Sequence, residues 1–325
     1  MPTGYGNFRQ NLKPGIIPLK PLGLGEIYDG AFSAVRKAPG TILGLVGIVV
    51  SIFVLIAGVF GYVISPWLNS TSFGREFDQL VIEAETVGGF TSIGSAGLFG
   101  ITGLISIAML LATALATGIV VVAIGQLVIN QKVSPGQVWD KVRPRAWALV
   151  GVAIVPSLLI ALALMAGFAV VAVLANVMGE GAVAIVVIYT IAAVVAAIYF
   201  STKFMFAPAV LVLEERGIIS SIKRSFAITK GSFWRVFGIY LLTNIILQFT
   251  VGVVAQVLMA LVGSIVGNDI DTNVVALAGW LVVQILTNTV VVAIMSAVLT
   301  LMYVDLRMRK EGLDIELLAA AEKAS

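Results

Sequence analysis

The chain has 325 residues, 59% of them hydrophobic and 11% charged, with a net charge of +3 and a mean hydropathy of +1.07. Soluble domains carry about 25% charged residues, so this composition excludes a water-soluble fold. With neither cysteine nor histidine, disulfides, thiolate nucleophiles, imidazole acid–base chemistry and most zinc or haem sites are excluded as well; no cofactor or metal is expected, and the basic residues form no nucleic-acid stripe.

Residues 1–21 contain Pro2, Pro14, Pro18 and Pro21 and show no period of 2 or 3.6, which reads as a flexible cytoplasmic tail. Leu22–Lys37 forms a first amphipathic unit, ended by Pro39 and Gly40. The first long apolar run starts near Thr41 and exceeds a signal-peptide core, so it is expected to remain as span one, about 41–64, closed by Pro66. Residues 66–100 make the long extracytoplasmic loop, with Glu76, Asp78, Glu83 and Glu85 against Arg75. Within it Phe73, Phe77, Leu80 and Val81 recur at helical spacing, and a glycine-rich lead-in follows.

Span two covers about 101–124, with Gln126–Lys132 leaving the membrane. A second basic unit, 133–147, leads into span three, about 148–171, where Pro156 predicts a kink. After a tight turn at 178–182, span four covers about 183–201; Lys203 marks its inner end and Pro208 breaks the helix. In the third unit Ile218, Ile219, Ile222 and Phe226 share one helical face, while Ser220, Ser221, Lys223 and Arg224 take the other, the pattern of an interfacial helix. Span five, about 236–261, and span six, about 275–302, flank a polar turn at 268–273, and a short charged helix forms the C-terminal tail.

Phe32, Trp139 and Phe226 fall in register, as do Arg36, Arg143 and Lys230, and then Gly44, Gly151 and Gly238. The predicted fold class is therefore all-α: a polytopic membrane protein of six transmembrane helices, built as three hairpin repeats (about 22–131, 132–216 and 217–307). A cytoplasmic interfacial amphipathic helix precedes each repeat. The whole transmembrane domain, 22–307, closes into one six-helix bundle between the tails 1–21 and 308–325. Nearly every Lys and Arg falls on one set of alternate loops, so the positive-inside rule places both termini in the cytoplasm.

Candidate site residues are few. Asn244, Gln248 and Gln256 on span five and Gln284 and Asn288 on span six are amides in hydrocarbon, and each needs a partner. They read either as interhelical glue or as a polar path or lipid-head pocket. The basic residues Arg36, Lys37, Lys141, Arg143, Arg145, Lys223, Arg224, Lys230 and Arg235 serve topology alone or form a collar for anionic lipid heads. Lys203 is a snorkelling interfacial lysine or a phosphate contact. Trp139, Trp147, Phe233 and Trp234 fit an interfacial aromatic belt. Glu26, Asp29, Glu214 and Glu215 belong to no cluster with metal spacing and read as solvated surface.

Three stretches, PLGLGEIYDGAFSAVRKAPG, FMFAPAVLVLEERGIISSIKRSFAITKGSFWRVFGIYLL and LMYVDLRMRKEGLDIEL, resemble the actinobacterial six-span proteins of the glycerophosphoryl diester phosphodiesterase membrane-domain family. In full-length relatives the resemblance assigns the diesterase chemistry to a separate soluble barrel with histidine and carboxylate ligands. With no histidine here, that activity is not expected of this chain. What the resemblance implies is a bacterial plasma-membrane location and a tie to envelope or lipid metabolism. The expected function is a non-enzymatic accessory or scaffold protein whose partners are membrane lipids, anionic ones included, and another membrane or envelope protein. The alternative is a carrier or permeation route for a lipid or small amphiphile.

Overall fold

The computed structural model describes residues 16–18, 20–72, 74–76, 79, 96–128, 133–178, 182–267 and 273–312. Among these residues the regular structure is entirely helical, and six helices are long and apolar enough to cross a membrane. In chain order α1 is Leu24–Lys37, and a π-helical turn at Gly40–Gly44 leads into α2, Leu45–Ser70. Next come α3 (Ala96–Val128), α4 (Pro135–Val142), a 3₁₀ turn at Arg143–Arg145, α5 (Ala146–Met178) and α6 (Ala182–Phe204). The chain finishes with α7 (Ala207–Leu213), α8 (Ile218–Thr229), α9 (Phe233–Val266) and α10 (Val274–Glu311).

Local signals explain several boundaries. The Glu26 carboxylate accepts the Gly23 N–H at 2.7 Å and so caps α1. Asn273 starts α10 by accepting the Val275 and Ala276 N–H groups at 2.9 and 3.3 Å. The turn from α8 into α9 passes through Gly231 at φ 80, a conformation open to glycine at little cost. Two prolines act differently from expectation. Pro66 does not close the first span but sits inside α2, which runs on to Ser70. Pro208 occupies the first turn of the new helix α7, where its missing N–H is no loss; the chain breaks before it, at Met205–Phe206. Pro156 lies within a continuous α5. The short helix expected around Phe73–Val81 and the glycine-rich lead-in lie largely outside the described residues.

The helices also overrun the membrane. α9 has 34 residues, about 51 Å at 1.5 Å per residue, against a hydrocarbon core of about 30 Å. The last span does not hand over to a separate tail helix. It continues to Glu311 and buries Tyr303, Val304, Asp305, Leu306 and Met308 near that end. The described end of the N-terminal segment is packed rather than free: Ile16, Ile17 and Leu22 are each no more than 1% exposed.

The packing is asymmetric. α2, α3 and α10 pack against one another as the centre, and α1 leans on α10. The α5–α6 hairpin joins this centre through α3, and α9 joins through α10. In the most apolar windows of the spans, two-thirds of α3 is buried (67%), against 0% of the span Ala184–Leu213 and 6% of α9. The expected closed bundle is therefore a three-helix centre with two outlying arms. At Gly61 on α2 the helices meet at backbone: an added methyl would lie 3.0 Å from both the Cα and the Cγ1 of Ile101 on α3. Since Ile101 backbone cannot rotate away, Gly61→Val is expected to part α2 from α3 and cost about 1–3 kcal/mol. Thermal unfolding in detergent, followed by tryptophan fluorescence, checks this; an unchanged midpoint would show that the helices re-pack freely.

Candidate functional site

The charged side chains converge where α1, α7, α8 and the ends of α9 and α10 meet, in two linked clusters. The first centres on Glu214, just after α7, whose side chain is 9% exposed. Its carboxylate accepts the Tyr303 hydroxyl at 2.5 Å and the Arg224 Nε–H at 3.1 Å, and pairs with Arg216 at 2.8 Å. Arg307 approaches to 4.0 Å. Arg224 also bonds Glu311, and Arg307 pairs with Glu311 at 3.1 Å, so α8 and α10 are tied through two carboxylates. Burial acts to raise the Glu214 pKa. Hydrogen bonds from Tyr303 and Arg224, with the charges of Arg224 and Arg216, outweigh it and hold the carboxyl below the ordinary value of 4.5. Glu214 is thus an ionised structural acceptor, not the solvated surface acid expected.

The second cluster centres on Asp305, 1% exposed. It accepts the Leu22 backbone N–H at 2.7 Å, the Arg235 Nη2–H at 2.9 Å and the Arg309 Nε–H at 2.8 Å. Both guanidinium groups also donate to the Leu22 carbonyl at 2.8 Å. One residue of the N-terminal segment is thereby clamped between α9 and α10.

Beside these clusters Lys203, 5% exposed, does not snorkel. Its ammonium sits 5.5, 5.2 and 5.9 Å from the ring centres of Tyr199, Phe226 and Phe233, within cation–π range. The Ser225 hydroxyl donates to the Lys203 carbonyl at 2.7 Å, bringing α8 onto the end of α6. On α8 the two faces are mixed: Ile218 and Ile222 pack on the core while Ser220 and Lys223 are exposed, but Ser221, Ser225 and Thr229 are buried and Ile219 is 68% exposed. In a lipid environment small hydroxyl residues favour close helix contact and isoleucine loses nothing by facing acyl chains.

The amides are not gathered into one site. Asn244 donates to the Tyr240 carbonyl at 3.4 Å, and Asn288 donates to the Gln284 carbonyl at 2.8 Å, each within its own helix. Gln248 and Gln256 are exposed on α9. Of the basic residues, Arg36, Lys37, Lys141, Arg143, Lys223 and Lys230 are exposed. Arg145, Arg224 and Arg235 are instead committed to carboxylates and carbonyls. Trp147 and Trp234 stand 87% and 78% exposed at the starts of α5 and α9, in keeping with a belt.

Sequence reasoning missed Tyr303, Asp305, Arg307, Arg309 and Glu311. Their signal was present as two i,i+4 pairs, Asp305 with Arg309 and Arg307 with Glu311, on an end read as a short charged tail helix.

The family comparison falls on the part of the chain that carries both clusters. Residues 173–324 match the membrane domain of glycerophosphoryl diester phosphodiesterase. The match bears out the resemblance for that stretch, and the matched membrane-domain segment includes Lys203, Glu214, Tyr303 and Asp305 together with α8, α9 and α10. Leu22, Arg145 and α1 to α4 lie outside it. Neither the curated proteins nor the solved structures return a significant match to the chain.

Proposed function

We propose that this integral membrane protein is a non-enzymatic accessory or scaffold in bacterial envelope or lipid metabolism, set in the plasma membrane with both termini cytoplasmic. The observation that carries the reading is the unburied surface of α6 and α9. Spans with 0% and 6% of their apolar window covered offer long lateral faces to lipid or to another membrane helix. Exposed Gln248 and Gln256 favour the latter, because an amide in hydrocarbon is stabilised only by a hydrogen-bonding partner. The carboxylates at the centres of the two clusters are occupied by structural bonds: Glu214 by Tyr303 and Arg224, Asp305 by Leu22 and two arginines.

On this reading α1, α4 and α8 are the leading amphipathic helices of three hairpin repeats, α2–α3, α5–α6 and α9–α10. Their exposed bases Arg36, Lys37, Arg143, Lys223 and Lys230 face anionic lipid heads on the cytoplasmic side, worth about 1 kcal/mol each near the surface. A photo-crosslinking residue at Gln248 or Gln256, activated in native membranes, should give an adduct with another membrane protein. Adducts with lipid alone would remove the scaffold role. The chain is free of cysteine, so topology can be read from single-cysteine variants. Ser72→Cys should react with an impermeant maleimide on intact cells and Lys37→Cys only after permeabilisation; the reverse order would overturn the orientation.

A further inference from the structure

A cavity of about 510 Å³ opens between the end of α3, the α4–α5 junction and the end of α7, lined by the residues on either side of Glu214 but not by Glu214 itself. Val122 and Leu213 give it an apolar side, and Gln126, Lys141, Arg145 and Glu215 give it a polar one. Gln126 was expected to leave the membrane at the end of span two. It lies instead inside α3, only 8% exposed, and its carboxamide oxygen is shut from solvent with no hydrogen-bond partner among the described residues. Such a group is costly to fold around, and it sits in the cavity wall.

The backbone supplies a second, independent sign. Glu215 has φ 53, the one positive φ at a non-glycine among the described residues, and the left-handed turn sets its carboxylate 2.9 Å from Arg145. Arg145 is held further by donating to the Val212 carbonyl at 2.9 Å. Lys141 has no ion pair among the described residues. Two cations against one carboxylate leave the wall with one uncompensated positive charge.

We propose that this cavity binds an anionic phosphate group: Lys141 supplies the free charge, Arg145 the fixed guanidinium, and Gln126 an amide N–H for a phosphate oxygen while its carboxamide oxygen accepts an O–H of the ligand beside the phosphate. The apolar side receives the carbon skeleton of the ligand. That chemistry is common to the head group of an anionic phospholipid and to a soluble phosphate ester. The inference rests on the membrane placement proposed above and not on the scaffold role; a crosslinked partner retained while phosphate binding is lost, or the converse, tells the two apart.

The test uses the full chain, delipidated in detergent, with binding read by native mass spectrometry. It is titrated with dioctanoyl phosphatidylglycerol, dioctanoyl phosphatidylcholine and sn-glycerol 3-phosphate. Phosphatidylglycerol should be retained over phosphatidylcholine, and Lys141→Met and Gln126→Leu should each weaken it by about tenfold. Arg75→Met, which removes an exposed charge outside both the cavity and the basic helices, should bind as the parent does. Gln126→Leu should unfold no earlier than the parent, since it removes an unpaired buried amide. Competition by glycerol phosphate would identify a soluble ester as the ligand, and its failure to compete a lipid head; either supports the site. Equal retention of the two lipids without glycerol phosphate binding would overturn it. So would a Lys141→Met loss no larger than that of Arg75→Met, an arm that decides the matter even if Gln126→Leu does not fold.

Discussion

Asp305→Ala is expected to be the most damaging single change in the molecule, lowering stability by about 3 kcal/mol, the low end for breaking a buried ion pair. Its side chain is 2% exposed, yet it neutralises Arg235 and Arg309, and it is also the acceptor for the Leu22 N–H. The estimate stays at the low end because both arginines are more than a third exposed, at 37% and 38%, and water screens them once the carboxylate is gone. What water cannot reach is the Leu22 amide. Leu22 is 0% exposed, so its N–H would lose its acceptor and the N-terminal segment its clamp on α10. Asp305→Asn retains an acceptor oxygen for that amide and should lose about half as much. Arg235→Met should lose less still, since Asp305 keeps Arg309 and Leu22. Thermal unfolding in detergent ranks the three variants. Equal midpoints for Asp305→Ala and Arg235→Met would show that the ion pair, and not the clamp on Leu22, is the source of the effect.

Glu214→Gln is expected to cost about 2 kcal/mol, the range for removing a charged partner from a largely buried hydrogen-bonded group. The amide fills the same space, but Arg216 and Arg224 face a neutral group and the Tyr303 hydroxyl loses a charged acceptor. Tyr303→Phe should cost about 1 kcal/mol. The double variant should lose less than the two single losses added together, because the residues share one bond; strict additivity would deny the coupling. A pH titration gives a separate check. The folded Glu214 carboxyl titrates below 4.5, so its contribution is complete above that unfolded value. It fades as the pH falls through the lower, folded value. In that acid window the parent should lose stability relative to Glu214→Gln. Parallel curves would mean that Glu214 is not held ionised by its neighbours.

Certain features were legible because they depend only on local chemistry. Six apolar runs of sufficient length predict six spans whatever their neighbours, since backbone polar groups in hydrocarbon must be satisfied within the segment. The lack of cysteine and histidine closes off whole classes of chemistry in the same way. Helix ends were less secure. Pro66 and Pro208 punctuate the sequence clearly, but whether a proline ends a helix or opens one depends on which side of it the chain turns, and Pro208 opens α7.

The site was hidden for two reasons. Glu214 meets Arg224 ten residues on and Tyr303 89 residues on, and no periodicity links positions that far apart. Single positions on α8 depart from its two-faced pattern because the rule that apolar residues turn inward belongs to water. Where lipid surrounds the helix, Ile219 may be presented outward at no cost while Ser221 and Ser225 pack inward. The amides of α9 and α10 do not meet across the two helices for a related reason: Asn288 bonds Gln284 within α10, and which way each helix turns its amides is set by packing against its neighbours.

Composition and hydropathy alone thus determined that the chain carries six runs apolar and long enough to cross a membrane and has neither cysteine nor histidine, because solvation acts residue by residue. Only tertiary packing decided that Glu214 and Asp305 are locked rather than free, that Lys203 is covered by rings, and that Gln126 lines a cavity. Those states depend on contacts between distant segments, whose relative rotation and depth are set by the packed helices together.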